Sequence, residues 1–137
     1  MKVNDNVPKN DHSEILIYYQ SLIEYSQFWS SRQNYYFFVQ KFLNNEINGF
    51  EFWDAFLDLW FSDIWKLQDI IDIIEDKDKH NQIPDFCYTS KSIIFYDVIN
   101  TLFFALEGDE CEANESILRS FLEEYYFSTL SKRYDDS

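Results

Sequence analysis

Along most of the chain, apolar residues return every three or four positions, the period of an α-helix with one buried face. Ile15, Tyr18, Tyr19, Leu22 and Ile23 open the series, behind Asp11 and Glu14 at capping-box spacing. The pattern predicts a first helix over residues 13–29, after which Ser30, Ser31, Arg32 and Gln33 either break or bend it. A second helix is expected over residues 35–43, with Tyr35, Phe38, Val39, Phe42 and Leu43 on one side. Asn44-Asn45 ends it, because asparagine tolerates the left-handed conformation of a helix end, and Ile47 turns inward. Asn48 and Glu51 then cap a third helix over residues 49–65. Its inward stripe is Phe52, Trp53, Phe56, Leu57 and Trp60, and Glu51, Asp54 and Asp58 fall on the other face. From Lys66 to Asp72 this helix either continues or kinks.

Residues 75–82 read as a charged loop, and Pro84 stops any helix before it. Thr89 or Ser90 caps a fourth helix that reaches residue 106. Two apolar stripes run along it, Ile94-Val98-Leu102-Ala105 and Tyr96-Ile99-Phe103-Leu106. A helix wet on one face would show one stripe, so this one is either central in the fold or a partner interface. After Gly108, Asp109-Glu110-Cys111-Glu112 repeats the capping-box spacing. The last helix is expected to reach residue 132, with Leu118, Phe121, Leu122, Tyr125 and Thr129 inward and Lys132-Arg133 complementing the helix dipole. Asn48-Gly49 is the one turn-like pair, and its flanks do not alternate as hairpin strands do. The expected fold is all-α: an antiparallel four- or five-helix bundle formed by residues 11–137 behind a polar arm at residues 1–10.

Composition sharpens this in one respect. Aromatic residues make up 20% of 137 positions, with 14 Phe, 10 Tyr and 4 Trp, so the core is expected to be ring-rich. Apolar runs at residues 15–23 and 98–106 are about half the ~20 positions a membrane helix needs. Together with a polar start lacking a signal-peptide core, this predicts a chain located in the cytoplasm. The Ile-, Asn-, Phe- and Lys-rich usage points to an AT-rich genome and adds an organelle stroma as an option.

Candidate chemistry is sparse. His80 and Cys87 are seven positions apart and Cys111 stands among acids, which fits neither zinc spacings nor the di-iron pattern of helical bundles. No nucleophile elbow is present, and two glycines cannot build a phosphate loop. The reading is a non-enzyme with no cofactor and no metal. Phe37-Phe38 and Phe103-Phe104 are read as core, with a pigment or lipid cradle as the lesser option.

Charge is the strongest remaining signal. Of a formal −14, nearly all comes from two stretches. Residues 51–76 hold eight carboxylates against Lys66, and residues 107–124 hold seven against Arg119. Such a field repels nucleic acid and anionic lipid and speeds encounter with a basic partner.

The residues Tyr36-Phe37-Phe38-Val39-Gln40-Lys41-Phe42-Leu43, then Asn44-Asn45-Glu46-Ile47-Asn48, then Gly49-Phe50-Glu51-Phe52-Trp53-Asp54-Ala55-Phe56-Leu57-Asp58-Leu59-Trp60, form a sequence of helix, short polar turn with one isoleucine, and capped helix. That succession resembles the opening of the bacterial self-protective colicin-like (colicin D-type) immunity protein family. Glu115-Ser116-Ile117-Leu118-Arg119 resembles the closing helix of that family. In outline the resemblance covers residues 33–130, and residues 11–32 stand as an added N-terminal helix. It implies a compact helical inhibitor that blocks a tRNA-cleaving toxin, and no individual toxin-contacting residue is carried over.

Charge and resemblance together nominate Asp54, Asp58, Asp63, Asp69, Asp72, Glu75 and Asp76 as the partner-binding face, with Asp109, Glu110 and Glu112 second. The expected partner is a basic protein such as a nuclease toxin domain. The alternative is a scaffold or assembly protein that packs on a partner, or on itself as a homodimer, through its apolar central helix.

Overall fold

A computed structural model describes residues 12–76, 89–107 and 115–136, and every element among them is helical. α1 spans His12–Ser30, α2 Arg32–Leu43, α3 Gly49–Glu75, α4 Ser90–Glu107 and α5 Glu115–Tyr125. A π-helical segment, Tyr126–Leu130, and a short α6, Lys132–Asp136, follow. The chain is an all-α bundle with a buried aromatic core. The expected caps at Asp11 and at Asp109–Glu112, and the expected loop and stop at Pro84 and Gly108, lie outside the described residues.

Ser31 interrupts the helix as the single residue between α1 and α2. Its amide still reaches the Gln27 and Phe28 carbonyls at 3.3 and 3.2 Å, and its own carbonyl accepts from Asn34 at 3.0 Å. α2 therefore begins a turn earlier than the apolar spacing indicated. Its end follows the asparagine reading: Asn45 takes φ 62°. Around it the amide of Glu46 reaches the Lys41 carbonyl at 2.9 Å and that of Asn45 reaches Phe42 at 3.0 Å, a Schellman termination.

α3 starts with the expected capping box. Asn48 Oδ1 accepts from the Glu51 amide at 2.8 Å, and Glu51 Oε1 accepts from the Asn48 amide at 2.9 Å. Closing-helix residues secure the same turn from a distance. Glu115 Oε1 accepts the Gly49 amide at 3.0 Å, and a Cβ at position 49 would stand 3.1 Å from Glu115 Cγ, so glycine suits this close approach. Arg119 donates to the carbonyls of Phe42 and Leu43 and to Asn45 Oδ1, with its guanidinium 4.6 Å from the Phe42 ring centre.

Beyond Trp65 the third helix continues without a break to Glu75. Its inward side is Phe52, Phe56 and Leu67, with Trp53, Leu57 and Trp60 half-buried at the edges. α1 lies along α3 and α4, and α2 along α3, α5 and the π-helical segment. α4 lies against α1, α3 and the π-helical segment. Phe95, Val98, Ile99, Leu102, Phe103 and Leu106 are all buried, so residues of both its apolar stripes face neighbours within the chain. Rings fill the interior edge to face: Tyr35 meets Phe56 at 5.7 Å and Phe95 at 6.0 Å, and Tyr36 meets Phe95 at 5.7 Å. Each such ring taken out of water contributes about 1.5–3 kcal/mol.

The last helix departs from expectation. Leu118 and Leu122 are buried as the periodicity required, but regular α-helix ends at Tyr125. In the π-helical turn and just after it, Thr129, Leu130 and Ser131 are buried in succession. Thr129 and Leu130 lie within the wider turn, and Ser131 leaves it in extended backbone, φ −120° and ψ 155°, which places a third successive residue inward. α6 then latches onto the start of α2 and the start of α4: Arg32 Nε donates to Asp135 Oδ1 at 2.8 Å, and Lys91 Nζ donates to the Tyr134 carbonyl at 2.9 Å.

Candidate functional site

The outward side of α3 is built by its register. Glu51, Asp54, Asp58, Phe61, Trp65, Asp69 and Asp72 recur at three- and four-residue steps, and all seven are exposed. Over this span the helix rises about 32 Å, at ~1.5 Å per residue. Carboxylates occupy both ends of the row, and two aromatic rings occupy its middle.

At the N-terminal end a shallow groove of about 490 Å³ opens between α2 and α3. Phe38, Ala55 and Leu59 supply its apolar lining, Phe50 forms a lip, and Glu51, Asp54 and Asp58 stand along one rim. At the centre, Phe61 lies edge-on to Phe103 at 6.1 Å, and Phe103 stacks on Trp60 at 3.6 Å with the planes only 9° apart. The surface ring is thus seated on a rigid stack that runs into the core. Phe61 is 45% exposed and Trp65 72%; Phe37 and Phe104, expected in the core, are exposed as well. Toward the C-terminal end Gln68 Nε2 donates to Asp72 Oδ1 at 3.0 Å, Asp69 and Glu75 are exposed, and Asp76 is half-buried at the helix cap.

Asp63 is a correction. It was expected on the acidic face, but it is 2% exposed and points into the core. Position 63 falls seven residues after Phe56 and four before Leu67, on the inward stripe, so helical geometry buries it. Three donors satisfy it there: Gln27 Nε2 at 2.9 Å and Ser31 Oγ at 2.6 Å on Oδ1, and the Tyr35 hydroxyl at 2.6 Å on Oδ2. It ties α1, the Ser31 break and α2 to α3. Burial, with the Asp63 charge beside it, pushes the Tyr35 hydroxyl far above its usual range. Tyr96 is raised too, by burial and by its 2.8 Å bond to Glu24.

Of the other sequence candidates, Asp54, Asp58, Asp69 and Asp72 share one face, and Asp109, Glu110 and Glu112 lie outside the described residues. Phe61 and Trp65 were not singled out by the sequence reading. Their signal was present, since they stand three and seven positions after Asp58 on the face already marked by carboxylates.

Among the described residues no helix is long and apolar enough to cross a membrane, and no three His, Cys, Asp or Glu side chains converge as a metal site requires. Compared with protein-family models, with curated proteins and with solved structures, the chain has no match. What the fold and the face define is an acidic, aromatic-cored helical bundle with the charged face of one long helix turned outward.

Proposed function

We propose that this chain is a non-enzymatic binding protein whose α3 face docks on a basic protein and blocks it, as an immunity-type inhibitor blocks a tRNA-cleaving nuclease. The observation that carries this reading is the row of carboxylates held in register along one helix. Asp54 and Asp58, and Asp69 and Asp72, are like-charged neighbours at helical spacing, which costs a few tenths of a kcal/mol per pair. A cationic partner removes that cost. A nuclease cleft is basic because it must hold phosphates, so an acidic ridge about 32 Å long is complementary to it and steers association. Exposed carboxylates supply charge for such docking, whereas acid–base catalysis needs them drawn out of water.

The reading is tested by adding the purified protein to basic tRNA-cleaving nuclease domains and following tRNA cleavage at low and high salt. Stoichiometric inhibition of one of them, relieved by salt, is the expected result. Undiminished cleavage by every one, with no complex formed at low salt, would dispose of the reading.

A further inference from the structure

The acidic row is interrupted at its middle by rings, and that interruption is informative. An indole 72% exposed gains little from the fold, and solubility alone asks for charge at position 65. Carboxylates outside and rings inside reproduce the anatomy of a protein interface, with a polar rim around an aromatic centre. We infer that Trp65, supported by Phe61, is the anchor of the α3 face and receives an arginine of a basic protein partner, the guanidinium stacking on the indole while Asp69 accepts its N–H groups. The inference rests on the binding reading above and deepens it by naming the partner's contacting group.

Charge complementarity selects this occupant over the others. A second copy would bring an identical acidic row against this one, and nucleic acid or anionic lipid would bring phosphates. Arginine suits the place better than lysine, because its planar guanidinium stacks on a ring and still presents a fork of donors to a carboxylate. Asp69 lies one helical turn from Trp65, within reach of such a fork.

The chain already contains this arrangement elsewhere, complete. Arg32 lies 4.3 Å from the centre of the Trp29 ring while its Nε donates to Asp135 at 2.8 Å. Arg119 lies likewise over Phe42. The ring and the carboxylate are present at Trp65 and Asp69; the arginine is the part a partner would bring.

The test uses two capped basic peptides of equal length and charge, one built on arginine and one on lysine. Each is titrated into the full-length protein at low salt, with the indole N–H signals followed by NMR. The Trp65 signal is assigned as the one lost in Trp65→Leu, a variant that keeps apolar area and removes the ring face. The arginine peptide is expected to bind about two- to fivefold more tightly than the lysine peptide and to shift the Trp65 signal. That preference should vanish in Trp65→Leu, while Asp69→Asn/Asp72→Asn should weaken both peptides. Equal affinities with an unmoved Trp65 signal, and weakening by the carboxylate changes alone, would overturn the anchor and leave the acidic face standing. Failure of both peptides to bind would remove the anchor and the acidic face together.

Discussion

Tyr35 donates its hydroxyl to Asp63 across 2.6 Å inside the core, where both side chains are almost fully buried. With Ser31 and Gln27 on the other carboxylate oxygen, this contact joins three helices at one polar point within an aromatic interior. Removing the acceptor would leave three donors without a partner in a place water does not reach. Asp63→Ala is therefore expected to cost at least about 3 kcal/mol in urea unfolding, at ~1–3 kcal/mol for each donor left unsatisfied. Asp69→Ala, on the same helix but in water, should stay within about 0.5 kcal/mol. Equal effects at the two positions would contradict the placement of Asp63.

The same burial gives a dependence on alkaline pH. Tyr35, Tyr36 and Tyr96 are all raised in the folded protein, first by desolvation and then by nearby carboxylates or direct bonds to them. The folded state therefore holds these protons after the unfolded chain, with its ordinary value of about 10, has released them. The stability they support is complete below about pH 10 and is lost as the pH climbs toward the raised folded values. Urea midpoints should fall steeply across that region, and tyrosinate absorbance should show a group of tyrosines ionising only as the fold opens. Ionisation of all 10 tyrosines in the intact fold would contradict this.

Arg119 is expected to matter for the α2–α3 turn rather than for binding. Arg119→Ala removes donors from two helix-end carbonyls and from Asn45, and should lower stability by about 1–2 kcal/mol. Amide exchange would show the effect as faster opening around residues 44–49. Uniform acceleration across all helices would argue for a global role instead.

Binding and stability should separate on the α3 face. Reversing Asp54 and Asp58 to lysine exchanges one exposed like-charge pair for another and touches no buried atom, so the melting temperature should stay close to that of the native chain. Affinity for a basic partner should drop by a large factor. A loss of folding in this variant would show that the face is structural.

Local chemistry was readable in the sequence wherever the partner lies nearby in the chain. Asn45 at a left-handed position and the Asn48–Glu51 capping box rest on contacts within a few residues, and the inward run of Phe52 and Phe56 was marked by its helical spacing. α4 was readable in part: Val98 and Leu102 of one apolar stripe and Ile99, Phe103 and Leu106 of the other are buried, but Ile94 at the start of the first is exposed. What escaped was set by distant partners. Asp63 was counted among surface acids because its donors sit 28–36 residues away, although its register matched Phe56 and Leu67. Glu115 and Arg119 reach back 66–77 residues to the α2–α3 turn, and no local period announces that. The π-helical turn at Tyr126–Leu130 likewise leaves no mark in the apolar spacing of its own segment. On the candidate face the carboxylates were legible and the rings between them were not, since an aromatic residue in a helical pattern is ordinarily assigned to the core.

The central claim is that the α3 face binds a basic protein through its charge. Calorimetric titration of a basic nuclease domain with the native chain and with the Asp54→Lys/Asp58→Lys/Asp69→Lys/Asp72→Lys variant tests it most directly. The expected result is tight binding by the native chain that weakens as salt rises, and no binding by a variant that remains folded. A variant that binds as tightly as the native chain at every salt concentration would contradict the claim.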